Sequence, residues 1–95
     1  MRVHLDFKGV PILYKTLNKK KEIDLDLSLG ACTVRQLVDS LVRRFGDSAK
    51  KALLDQSGDV DIEIRLVLNQ TTYLVENRMA TILQDGDALA FLGAS

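Results

Sequence analysis

Ninety-five residues are enough for one hydrophobic core and too few for two, so one domain spanning residues 1–95 is expected. At 46% hydrophobic and 27% charged residues the composition is that of a globular chain, which excludes a disordered or fibrous one. Thirteen Lys plus Arg balance thirteen Asp plus Glu, so no net field draws the chain to a phosphate backbone or an anionic bilayer, and neither nucleic acid nor membrane is expected as a partner.

From Arg2 to Phe7, Val3, Leu5 and Phe7 alternate with Arg2, His4 and Asp6, the period of a half-buried strand. Lys8-Gly9-Val10-Pro11 interrupts it, since glycine admits turn torsions and proline lacks a ladder donor, and Ile12 to Tyr14 offers a short edge extension. Asn18 to Lys21 reads as a turn. Beyond it Ile23, Leu25, Leu27 and Leu29 alternate with Asp24, Asp26 and Ser28, giving a second strand that completes a hairpin.

Val34, Leu37, Val38, Leu41, Val42 and Phe45 then fall at i, i+3, i+4, i+7, i+8 and i+11, one stripe of a helix. Thr33 stands at its N-cap with Gln36 placed for a capping box, and Gly46 stands where a left-handed C-cap belongs. Ser48 to Leu54 carries a weaker helical pattern that ends in the turn Gln56-Ser57-Gly58-Asp59. Ile62, Ile64, Leu66 and Leu68 predict a third strand stopping at Asn69-Gln70, and Thr71 to Val75 predicts a short one. Asp85-Gly86-Asp87 is a turn that launches a last strand, Ala88 to Leu92, with Leu89 and Phe91 on one face and Ala88, Ala90 and Leu92 on the other.

Strand, strand, helix, strand, short strand, strand is the order of an α+β, ubiquitin-like β-grasp fold: a mixed sheet of about five strands with one long helix packed on one face. A charged turn, with no crossover helix, joins the first two strands, which argues against a doubly wound parallel sheet. The expected core sets Leu37, Leu41 and Phe45 on Val3, Leu5, Leu25, Leu27, Ile64, Leu66, Leu89 and Phe91.

The segment Leu29-Gly30-Ala31-Cys32-Thr33-Val34-Arg35-Gln36-Leu37 resembles the strand-to-helix entry of the MoaD and ThiS sulfur-carrier family. Val67-Leu68-Asn69 is similar to that family's buried strand closing on an Asn, and Thr81 to Asp87 to its Leu-x-Asp-Gly-Asp turn. The resemblance runs from Arg2 to Leu92, and the inserted segment Ser48 to Val60 sets it closer to the MoaD branch, the small subunit of molybdopterin synthase.

The resemblance implies a carrier, itself no enzyme and without a cofactor or metal of its own. An ATP-dependent activating enzyme would adenylate its C-terminus and convert it to a thiocarboxylate, and a MoaE-like synthase subunit would be a further partner. The implied carrier tail is Gly93, Ala94 and Ser95, of which Gly93 alone matches the family's terminal Gly-Gly. Glycines suit such a tail because they thread a narrow channel in nearly any conformation. Three accounts stay open: trimming to Gly93, tolerance of the tail as it stands, or a ubiquitin-like binding module without carrier chemistry. On every account Leu92 to Ser95 is expected to lie loose, and Val67, Ala88, Ala90 and Leu92, facing away from the helix, are the candidate partner-binding surface.

The remaining polar features suggest structure more than chemistry. His4, beside Asp6, lacks the further ligands a metal needs and reads as a surface residue. Cys32 has no partner for an internal disulfide, fits a reducing cytoplasm, and reads as a small loop residue before the helix. The basic residues Lys19 to Lys21, Arg43-Arg44 and Lys50-Lys51 have no interleaved aromatics and read as solvated faces. No signal peptide is expected from the charged opening Met1 to Asp6, no apolar stretch is long enough to span a bilayer, and the free protein is expected to be a monomer.

Overall fold

The computed structural model describes residues 1–10, 21–28 and 30–93. The extension expected at 12–14, most of the 18–21 turn, Leu29, Ala94 and Ser95 lie outside them. The chain folds as β1 (Arg2–Gly9), β2 (Glu22–Asp26), β3 (Ala31–Thr33), α1 (Val34–Phe45), α2 (Asp47–Leu53), β4 (Arg65–Leu68), β5 (Thr72–Leu74), a 3-10 turn (Arg78–Ala80), β6 (Ile82–Gln84) and β7 (Ala88–Leu92). Five strands form one mixed sheet in the order β2-β1-β7-β4-β5, and β3 pairs with β6 in a second, two-stranded sheet. β1 and β7 run parallel at the centre, while β2, β4 and β5 join antiparallel to their neighbours. This is the β-grasp arrangement that the pattern predicts.

The helix α1 is set by its ends. Thr33 Oγ1 accepts the Gln36 N–H at 3.2 Å while Gln36 Oε1 accepts the Thr33 N–H at 2.8 Å, the reciprocal capping box that satisfies two otherwise orphaned donors. At the other end the Gly46 N–H closes on Val42 O at 2.7 Å. Gly46 has φ 79 and ψ −159, a positive-φ region open to glycine but not the left-handed cap expected, and it swings the chain directly into α2. Val34, Leu37, Val38 and Leu41 are buried in one core with Val3, Leu5, Phe7, Leu25, Leu66, Leu89 and Phe91, and Phe7 stacks on Phe91 at 4.9 Å. Phe45 and Leu27, expected in this core, pack against it and are partly buried.

Two expectations are corrected. The third strand begins at Arg65, not Ile62. Asp61 Oδ1 accepts the Glu63 N–H and Asp61 O the Ile64 N–H, both at 2.9 Å, so 61–64 is a turn and Ile62 is 88% exposed. The Arg78 guanidinium fixes that turn by donating to the carbonyls of Val60, Asp61 and Ile64. Cys32 is no loop residue either: it lies in β3, 3% exposed, and loss of water pushes its thiol pKa up, the opposite of an activated cysteine.

The inserted segment is folded. Val60 bridges back to Leu54, Asp55 Oδ1 accepts from Ser57 Oγ at 2.6 Å, and Arg35 on α1 pairs with Asp59 at 2.5 Å. Among the described residues no helix is long and apolar enough to cross a membrane.

Candidate functional site

Alternation along each strand sends one set of side chains under α1 and the other to the outer face of the sheet. The registers place Glu22, Asp6, Ala90, Val67 and Tyr73 in one row across all five strands. Asp24, His4 and Ala88 form the neighbouring row, and Leu92 faces Arg65 in the next. The outer face is therefore split, with charge over β1 and β2 and mainly apolar groups over β7, β4 and β5, where Arg65 beside Leu92 is the charged exception.

On the charged half, Arg2 Nε lies 3.0 Å from Asp26. His4 Nδ1 meets Asp24 at 2.8 Å and its Nε2 meets Glu22 at 3.0 Å. Its partners are thus cross-strand carboxylates and not Asp6, which instead accepts the Lys8 N–H at 2.9 Å. Those two hydrogen bonds raise the imidazole pKa above its ordinary value, and the His4 bond holds Glu22 below the usual carboxylate range.

On the apolar half, Ala88, Ala90 and Leu92 are half-buried, whereas Val67, flanked in register by Ala90 and Tyr73, is only 6% exposed. Of the four residues expected on this surface, Val67 is therefore a floor more than a contact. Tyr73, in register with Val67 and 59% exposed, presents more area than any of them. Its signal was in the sequence, as the middle position of Thr71 to Val75, but it needed the β4–β5 register to join it to Val67.

The tail leaves from this half. Leu92 is the last residue of β7, paired with Arg65 on one side and Gly9 on the other. Gly93 is not loose as expected, because its N–H donates to Gly9 O at 2.6 Å. At the opposite end of β7, Asn69 accepts the Ala88 N–H at 2.8 Å and donates to Asp87 Oδ1 at 3.1 Å. Asp87 Oδ2 and Asp85 Oδ1 each accept a backbone N–H at 2.8 Å, from Gln84 and Arg2. Asn69 and the Asp85-Gly86-Asp87 turn thus lock β7 between β1 and β4, which gives both motifs a structural use.

A cleft of about 680 Å³ beside the α1 N-terminus is lined by Arg35, Asp59, Ile62, Val75 and Met79 among others. Its charged groups are already engaged, Arg35 with Asp59, Asp55 with Ser57 and Arg78 with three carbonyls. It offers no unpaired set for chemistry.

No protein-family profile and no curated protein matches this chain. Solved structures do. CysO in the BexX/CysO complex of Amycolatopsis orientalis has a TM-score of 0.78 at 19% identity, covering 98% of this chain and 96% of its own. Urm1 from Trypanosoma brucei also scores 0.78, at 22% identity over 99% of this chain and 92% of its own. The Haloferax volcanii protein HVO 2177 scores 0.75 at 25% identity, covering 100% and 84%. Together with the strand order and the helix on one face, these likenesses establish that the chain has the ubiquitin-like β-grasp fold.

Proposed function

We propose that this protein is a small sulfur carrier of the MoaD and ThiS type, itself a substrate and not a catalyst. The observation that carries the reading is that Leu92 belongs to the apolar strip and also immediately precedes Gly93. A partner seated on Ala88, Ala90, Leu92 and Tyr73 therefore has the departing tail within reach. The structural likeness to CysO, seen in complex with BexX, supports a fold that docks to a second protein. Within the carriers, the inserted segment Ser48 to Val60 favours the MoaD branch and a molybdopterin pathway.

The chemistry belongs to the tail Gly93, Ala94 and Ser95 and to an ATP-dependent activating enzyme. A carboxylate oxygen at the end of the tail attacks the α-phosphorus of ATP, the bond to pyrophosphate breaks, and an acyl adenylate forms. Hydrosulfide from a sulfur donor then attacks the acyl carbon. The bond to AMP breaks, a proton is released, and a thiocarboxylate remains with no net oxidation. A MoaE-like synthase subunit would consume that sulfur. The carrier needs no cofactor of its own and works as a cytoplasmic monomer between partners.

Incubation with the activating enzyme, ATP and a sulfide source is expected to give the intact-mass gain of sulfur for oxygen. Ala90→Asp should weaken binding of that enzyme by about tenfold or more, because docking would bury an unpaired carboxylate. Binding that leaves the mass unchanged would instead favour a ubiquitin-like binding module without carrier chemistry. That second reading is motivated by Gly93 lying bonded on the sheet.

A further inference from the structure

Gly9 and Gly93 meet backbone to backbone. The Gly93 N–H donates to Gly9 O at 2.6 Å. A Cβ on Gly9 would stand 2.6 Å from Leu92 Cα and 2.8 Å from the Phe91 carbonyl oxygen, and one on Gly93 would run into Gly9 O. The positive-φ glycines are Gly46, Gly58 and Gly86, so Gly9 is needed for space and not for its torsions. The β1–β7 register shifts between Asp6 and Gly9, which sets Gly9 opposite Leu92 and carries the pairing to the end of β7. Gly9, which the sequence suggests as a turn residue interrupting the strand, is instead the last residue of β1 and part of the contact that holds Gly93.

Resting on the carrier reading above, we infer that Gly9 is a positioning residue for the tail: its carbonyl and its bare Cα hold Gly93 on the sheet, so the carboxylate that reacts must lie beyond Gly93. An activating site has to close around the chain and bring the carboxylate in line with a nucleotide phosphate. A chain cut after Gly93 would carry its carboxylate on the very residue clasped to β1, with β1 blocking one side. Each residue beyond Gly93 adds roughly 3.3–3.6 Å of reach when extended. Trimming to Gly93, open on the sequence alone, would thus remove the reach that the chemistry requires.

The test uses the chain as given and a form ending at Gly93, each also as Gly9→Ala. Two readouts are taken: amide hydrogen exchange of Gly93 in the free protein, and ATP–pyrophosphate exchange with each ATP-dependent activating enzyme of the same cell. The Gly93 amide should be protected about tenfold or more in the native chain and unprotected in Gly9→Ala. The full chain should be adenylated at least about tenfold faster than the form ending at Gly93, since small misplacements at a reacting group cost that much or more. Equal or faster adenylation of the shorter form overturns the inference, and so does an unprotected Gly93 amide in the folded native chain. Should Gly9→Ala fail to fold, the two native-sequence lengths still decide. If neither length is adenylated the carrier reading fails, while Gly93 exchange, which needs no enzyme, separately decides whether the clasp exists.

Discussion

His4 spans the gap between Asp24 and Glu22, with Asp6 and Lys8 beside it on the same face, and this makes it a titrating tie between β1 and β2. Its pKa is raised in the folded state from the ordinary 6.5, first by the Asp24 and then by the Glu22 hydrogen bond. The folded protein therefore holds the proton more tightly than the unfolded chain. The resulting stabilisation is full below about pH 6.5 and is lost as pH climbs through the raised value. Glu22 works in the opposite sense: its depressed pKa adds stability that disappears in acid. With a side chain 43% exposed, His4 should contribute a small effect, visible as a decline in urea midpoint as pH rises above about 6.5 that His4→Gln abolishes. An imidazole titrating at or below 6.5 by NMR would contradict it. None of this was legible from His4 alone, because the partners lie 18 and 20 residues away and depend on the hairpin register. Asn69 is a similar case, since its bonds reach Asp87 and Ala88 across two strands.

Elements were legible in proportion to their length and to the local chemistry at their ends. The helix α1 follows from its apolar stripe and its Thr33–Gln36 box, both contained within a dozen residues. Thr33→Ala should accordingly cost about 1 kcal/mol in chemical denaturation, and a loss near zero would mean that the cap is replaced by solvent. The three-residue strands β3 and β6 were missed because a strand that short shows too little alternation to separate from loop. Ile62 and Ile64 failed for the converse reason. Two apolar residues two apart imitate a strand, yet Asp61 offers both its side chain and its carbonyl to the next residues, and Arg78 gathers the carbonyls that a ladder would have used. The outer face was half legible: the parity of Ala88, Ala90 and Leu92 was readable, but Tyr73 joined them only through the β4–β5 pairing.

Across the whole molecule, both strands of the hairpin, both helices, β4 and β7 bury side chains in one cluster. Leu41, 1% exposed beneath the sheet, should therefore report on all of it. Leu41→Ala is expected to cost about 2 to 5 kcal/mol and to lower a single cooperative transition without splitting it. A near-neutral result would contradict the helix-on-sheet core. The parallel pairing of β1 with β7 also bears on how this protein folds. The central pair joins Leu5 to Leu89, so the contact that closes the sheet is among the most distant in sequence that the chain can make. Such a topology has a high contact order, and the entropy of closing that loop is spent before its hydrogen bonds form. During synthesis β1 and β2 emerge early, and the edge of β1 that β7 fills stays without its ladder partner until β7 has been made. On β2, an edge strand of the five-stranded sheet, Glu22, Asp24 and Asp26 are paired with Lys8, His4 and Arg2 of β1, and charged side chains of this kind disfavour pairing of that edge with a second chain.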